Sequence, residues 1–118
     1  IATSVSHDAH NIIAAGASDA EIISAVKAVS EAGGGMAVVI GDETTVLSLP
    51  AGGLMTFKPY EEVLDEMAVL NEALEKTGAD KKAFMSLSFM ALTVVPHLKI
   101  TPRGLFDGDS FSDTDIQC

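Results

Sequence analysis

Ala32-Gly33-Gly34-Gly35-Met36-Ala37-Val38-Val39-Ile40-Gly41-Asp42-Glu43 is the stretch from which the fold is read. Three consecutive glycines have no place inside a helix, so they end the helix that precedes them. Met36 to Ile40 carries no polar side chain and includes Val38, Val39 and Ile40. That is the composition of a buried strand. Gly41-Asp42-Glu43 then turns the chain and Thr44 to Leu49 returns, which predicts a hairpin.

Upstream, Ser18-Asp19-Ala20-Glu21 has the Ser-x-x-Glu capping-box spacing, and Ile22, Ile23, Val26 and Val29 recur at helical intervals behind it. Residues 1–16 read as extended, closing on Gly16. Downstream, Pro50 to Met55 is a glycine-containing loop without regular structure. A second helix is expected from near Pro59, with Glu61 and Glu62 beside its positive end. Its apolar stripe is Val63, Met67, Leu70 and Leu74, and it stops around Lys76-Thr77-Gly78. Met85, Leu87 and Phe89 alternate with Ser86 and Ser88, which predicts a strand. Val94 to Ile100 predicts another extended stretch, broken at Pro96. The expected fold class is therefore α+β: a two-layer sandwich, with a mixed or antiparallel sheet and two amphipathic helices. The domain is expected over residues 1–107, with an acidic, flexible tail over 108–118.

The chain has 118 residues, 47% of them hydrophobic, enough for a packed core without disulfides or metal. Its start lacks Met, a basic region and a cleavage pattern, and reads as the middle of a longer polypeptide. No apolar run approaches the roughly 20 residues of a membrane span. Seventeen acidic against seven basic residues give a net charge of -10, with the cations scattered, which argues against nucleic-acid binding. The one cysteine, Cys118, cannot form a disulfide within the chain, and a cytoplasmic setting fits that usage. The Pro-Cys-x-x-Cys element of the zinc-dependent base deaminases is missing from the sequence.

Chemistry concentrates in Ser6-His7-Asp8-Ala9-His10-Asn11, which places two imidazoles, a carboxylate and a carboxamide just before the apolar Ile12-Ile13-Ala14-Ala15. On an extended backbone Asp8 and His10 share a face and His7 points the other way. An Asp beside a His fixes its tautomer and raises its basicity, as a catalytic or ligand-orienting pair requires. The structural alternative is a hydrogen-bonded strand end in which Asp8 and Asn11 cap neighbouring backbone. A metal site would need a third well-spaced ligand that the cluster lacks. Elsewhere, Gly33-Gly34-Gly35 follows a helix and opens a strand, the reverse of a phosphate loop. Ala51-Gly52-Gly53-Leu54-Met55 would allow close backbone approach to a ligand or another domain, or is a tight turn. His97 reads as structural or exposed. Arg103 could clamp an anion, but pairing with a carboxylate is commoner.

The segment Ser4 to Ile13 resembles the "HDSHN" segment of the C-terminal domain of bacterial adenine deaminases, with Ala9 where Ser is usual. Ala32 to Val39 and Leu49 to Met55 are similar to two further segments of that domain. Met85 to Leu92 and Thr101 to Asp107 resemble its closing "LSFLAL" and "RGLFD" patterns. The resemblance covers residues 3–107 in order. It implies that the complete enzyme is an amidohydrolase converting adenine to hypoxanthine and ammonia in purine salvage. The metal, manganese or iron, would sit in a barrel upstream, and no metal or other cofactor is expected in this domain. The implied partners are that barrel of the same parent chain, adenine in the full enzyme, and a further copy in a homo-oligomer. By itself the domain would be inactive, with His7, Asp8, His10 and Asn11 as residues close to the active site. Two other readings are a non-catalytic binding or oligomerisation module and a small independent enzyme using Asp8 and His10 as acid and base.

Overall fold

The computed structural model describes residues 1–7, 9–95 and 97–115. The glycine run and the strand behind it organise the centre. Helix α1 (Asp19–Glu31) ends at the Ala32 cap, and β3 (Gly35–Ile40) and β4 (Glu43–Ser48) form the hairpin, Ile40 opposite Glu43 across Gly41-Asp42. The short strands β1 (Ala2–Thr3) and β2 (Ile13–Ala14) complete an antiparallel sheet in the order β2-β1-β3-β4. Helix α2 (Tyr60–Lys76) and helix α3 (Ala83–Met90) follow. Strands β5 (Leu98–Thr101), β6 (Gly104–Asp107) and β7 (Ser112–Asp113) then build a second antiparallel sheet.

The α+β class and antiparallel pairing are as expected, but the main sheet is covered on both faces. Ala37 and Val39 pack with Ala25 and Val29 of α1. Val38, flanked by Met36 and Ile40, packs with Leu70, Ala73 and Leu74 of α2. The register repeats the division, pairing Ala37 with Val46 on one face and Met36 with Leu47 on the other. Two layers therefore become three. The unbroken apolar run Met36–Ile40 has the pattern of a strand buried on both sides.

Capping follows the sequence at α1, where the Glu21 amide donates to Ser18 Oγ at 3.3 Å. The α1 stripe is shifted slightly: Ala25 and Val29 are buried while Ile23 is exposed. The second helix carries the expected stripe, with Leu70 and Leu74 fully inside. Lys58, just ahead of it, pairs with Glu62 and Glu66.

Residues 83–90 form a helix, not the expected strand, which makes three helices among the described residues in place of the expected two. Leu87 and Ser88 are buried and Phe84 partly so, while Met85, Ser86, Phe89 and Met90 face outward. An inward serine is tolerated because its hydroxyl donates to the Met85 carbonyl at 2.8 Å, one turn back. The alternation of Met, Leu and Phe with Ser was real in sequence but did not mark the buried side.

Close approach explains the glycines. A Cβ on Gly34 would lie 2.3 Å from Gly53 Cα, and one on Gly35 would lie 1.9 Å from the Leu47 carbonyl oxygen. Both have positive φ, at 118° and 136°. Between them sits the buried Ser4. Its hydroxyl accepts from the Gly35 amide at 2.8 Å and donates to the Gly53 carbonyl at 2.5 Å. Its own amide donates to the Gly35 carbonyl at 2.9 Å.

In the second sheet, residues expected in the flexible tail include β7, which pairs Ser112 with Asp107 and Asp113 with Phe106. Arg103, in the β5–β6 turn, pairs with Asp113 at 3.2 Å, the commoner of its two expected roles. His97 is exposed, and its Nδ1 hydrogen-bonds the Asp109 carboxylate. That bond, and then the charge behind it, holds the imidazole above its ordinary range. The Ser110 hydroxyl and the Asp109 amide hold the Asp107 carboxyl below its own. The His97 contribution is complete below its ordinary value of 6.5 and is lost as pH rises through the raised value. The Asp107 contribution is complete above 3.8 and is lost as pH falls through the lowered value.

Two outcomes are expected. Replacing Gly35 with Ala should cost ~3 kcal/mol or more in chemical denaturation, because backbone must move. At Gly41, where φ is positive but nothing lies within 4 Å of the added carbon, the same change should cost only ~1 kcal/mol. In an NMR titration the His97 ring should titrate above a free histidine, and Asp109→Asn should return it to the ordinary midpoint. The second sheet should be best protected from amide exchange between about pH 4 and pH 6.5, where both contributions are complete.

Candidate functional site

The polar segment is a turn between β1 and β2, not a continuous extended strand. The His10 amide donates to the Ser6 carbonyl at 2.7 Å, closing a single helix-like turn, and His10 has φ 52°. A left-handed histidine is uncommon and costs of order 1 kcal/mol or more. Ser6 is buried at the base of the turn, whereas His7, Ala9, His10 and Asn11 are exposed.

The turn changes the expected geometry. His7 and His10 do not point apart: their ring centroids lie 6.0 Å from one another at 50°. His7 also stacks on Phe89 of α3, at 5.2 Å and 18°. Asp8, the carboxylate expected to orient His10, lies outside the described residues, as do Pro96 and Cys118. The structural alternative had Asn11 cap neighbouring backbone, but among the described residues its side chain has no hydrogen bond. Neither imidazole of the turn has one there either.

His7 forms one wall of a cleft of about 460 Å³, lined also by Met36, Met67, Asn71, Met85 and Phe89. Lys81 stands at its edge, paired with Glu75 at 2.8 Å, and the hydrogen bond to Glu75 raises its ammonium above the ordinary range. Among the described residues no carboxylate lines this cleft, although the chain carries 17. Apolar walls with an imidazole, a carboxamide and a hydroxyl at the margin can seat a planar group or another protein surface.

Among the described residues no three His, Cys, Asp or Glu side chains converge on one point. One face of His7 is taken by Phe89. The Ala51–Met55 loop does make the close approach its glycines permit, but to Ser4 and Gly34 of the same chain. Gly33-Gly34-Gly35 ends α1 and opens β3, as expected. Sequence reasoning missed Ser4 and Phe89. Nothing marks a lone serine as a three-way anchor, whereas the absence of charge across residues 83–90 was a signal that those side chains seek cover.

None of the described helices is long and apolar enough to cross a membrane. The family model for the adenine deaminase C-terminal domain matches residues 1–112. An adenine deaminase of Methanoculleus marisnigri is 51% identical over 116 residues, which are 98% of this chain and 22% of that protein. One from Methanoregula boonei is 50% identical, covering 98% and 21%. One from Bacillus pumilus is 47% identical, covering 99% and 21%. The chain thus spans about a fifth of the length of these curated relatives. With the turn, the glycine run and the closing helix-and-strand segments all inside the matched region, this chain belongs to the adenine deaminase C-terminal domain family.

Proposed function

We propose that the domain works as the C-terminal part of an adenine deaminase, hydrolysing adenine to hypoxanthine and ammonia in purine salvage in the cytoplasm. Water oxygen bonds to C6 of the purine, the C6–N6 bond breaks, and a proton leaves with the amine as ammonia. In this reading manganese or iron belongs to an amidohydrolase barrel upstream in the parent chain. The present domain contributes the turn from His7 to Asn11, held beside the purine.

The observation that carries the reading is the turn itself. It spends a left-handed His10 to present two imidazoles and a carboxamide to the outside, while its base is anchored by the buried Ser4 and Ser6. Polar groups held at such a cost without partners among the described residues suit recognition better than folding. A carboxamide can pair with the N6–N7 edge of adenine, and an imidazole can donate to a purine ring nitrogen. The alternative, a non-catalytic binding or oligomerisation module, leaves the strained turn without a use.

In the complete enzyme, His10→Ala and Asn11→Ala should each lower kcat/KM for adenine at least about tenfold, roughly 1.4 kcal/mol of transition-state stabilisation. The melting temperature should stay within about 2 °C, as expected of exposed side chains. Asp8→Ala is expected to behave likewise. Ammonia release at the parent rate from all three variants would discard the role. The isolated domain should release no ammonia from adenine.

A further inference from the structure

Helix α3 reads Ala-Phe-Met-Ser-Leu-Ser-Phe-Met, without a single charge, in a chain of net charge -10. A helix with no charged side chain on any face and with methionine and phenylalanine on its outer side is suited to being covered. Here only Leu87 and Ser88 are buried, while Met85 is 62% exposed and Met90 66%. The cleft beside it, walled by His7, Met67 and Phe89, has no carboxylate in its lining among the described residues. Depletion of charge around exposed Met and Phe marks the centre of a protein–protein contact. The curated relatives are about five times the length of this chain, which leaves room for a covering portion in the same polypeptide.

We infer that α3 and the cleft beside His7 are the surface on which the domain docks against the catalytic portion of its own parent chain. This rests on the functional reading above. It adds which face is covered: that of α3, not the outer face of α1 or the second sheet. Because His7 stacks on Phe89, covering α3 also brings the turn to the edge of the contact, where His10 and Asn11 can face a substrate. The catalytic portion is favoured over a second copy because it is tethered, so its local concentration does not depend on assembly.

Peroxide footprinting of the complete parent enzyme tests this, with methionine sulfoxide read peptide by peptide. Met55 is 66% exposed, does not line the cleft, and serves as an internal standard close to Met85 in exposure. Met85 is expected to oxidise at least tenfold more slowly than Met55. Equal rates, or a faster Met85, would overturn the docking face. Protection that vanishes on dilution in step with dimer dissociation would also overturn it, by making a second copy the occupant. Ammonia release from adenine is measured on the same preparation. An active enzyme with a reactive Met85 removes the docking face and leaves the function. A protected Met85 in an enzyme that never deaminates adenine supports the docking face and removes the function.

Discussion

The hydroxyl of Ser4 joins three pieces of chain that are far apart in sequence. It accepts from Gly35 at the mouth of β3 and donates to Gly53 in the following loop, while its own backbone continues β1. Buried donors and acceptors left unpaired cost of order 1–3 kcal/mol each, so this one side chain spares two backbone groups that cost. Two flanking constraints make the arrangement possible. Gly34 and Gly35 permit backbone contacts that any Cβ would block, and their positive φ values are tolerated for the same reason. The ends of the inner strands β1 and β3, the end of α1 and the root of the polar turn are thereby held in one place.

From that anchor the chain divides into a rigid interior and an outward-facing end. The interior is the sheet with α1 on one face and α2 on the other, both packed on β3. The outward end is the turn carrying His7, His10 and Asn11, together with α3. Within that end the turn and α3 are joined by the stacking of His7 on Phe89. A strained turn mounted on a fixed base is a common way to hold recognition groups, because the scaffold supplies the energy that the local geometry costs.

Charge distribution points the same way. Among the described residues the acidic side chains stay clear of the cleft between α2 and α3, leaving methionine and phenylalanine uncovered there. Methionine adapts its shape to whatever lies against it, which suits a surface between two parts of one chain. The second sheet is held differently, by exposed polar pairs such as Arg103–Asp113 and His97–Asp109, and is more open to pH and salt.

Local signals were sufficient for α1, β3, β4 and α2, because a capping serine, a glycine run, an apolar run and an amphipathic stripe act over a few residues. The family resemblance was equally readable, since it rests on ordered short motifs. The third helix was misread because five alternating residues fit both periods, and only packing decides which side is inside. Burial of β3 on both faces, the proximity of His7 and His10, and the role of Ser4 depend on contacts between segments tens of residues apart. No local pattern encodes such distances. They are set when hydrogen-bonding groups and apolar surfaces from separate segments must be satisfied at once, and that happens only in the folded chain.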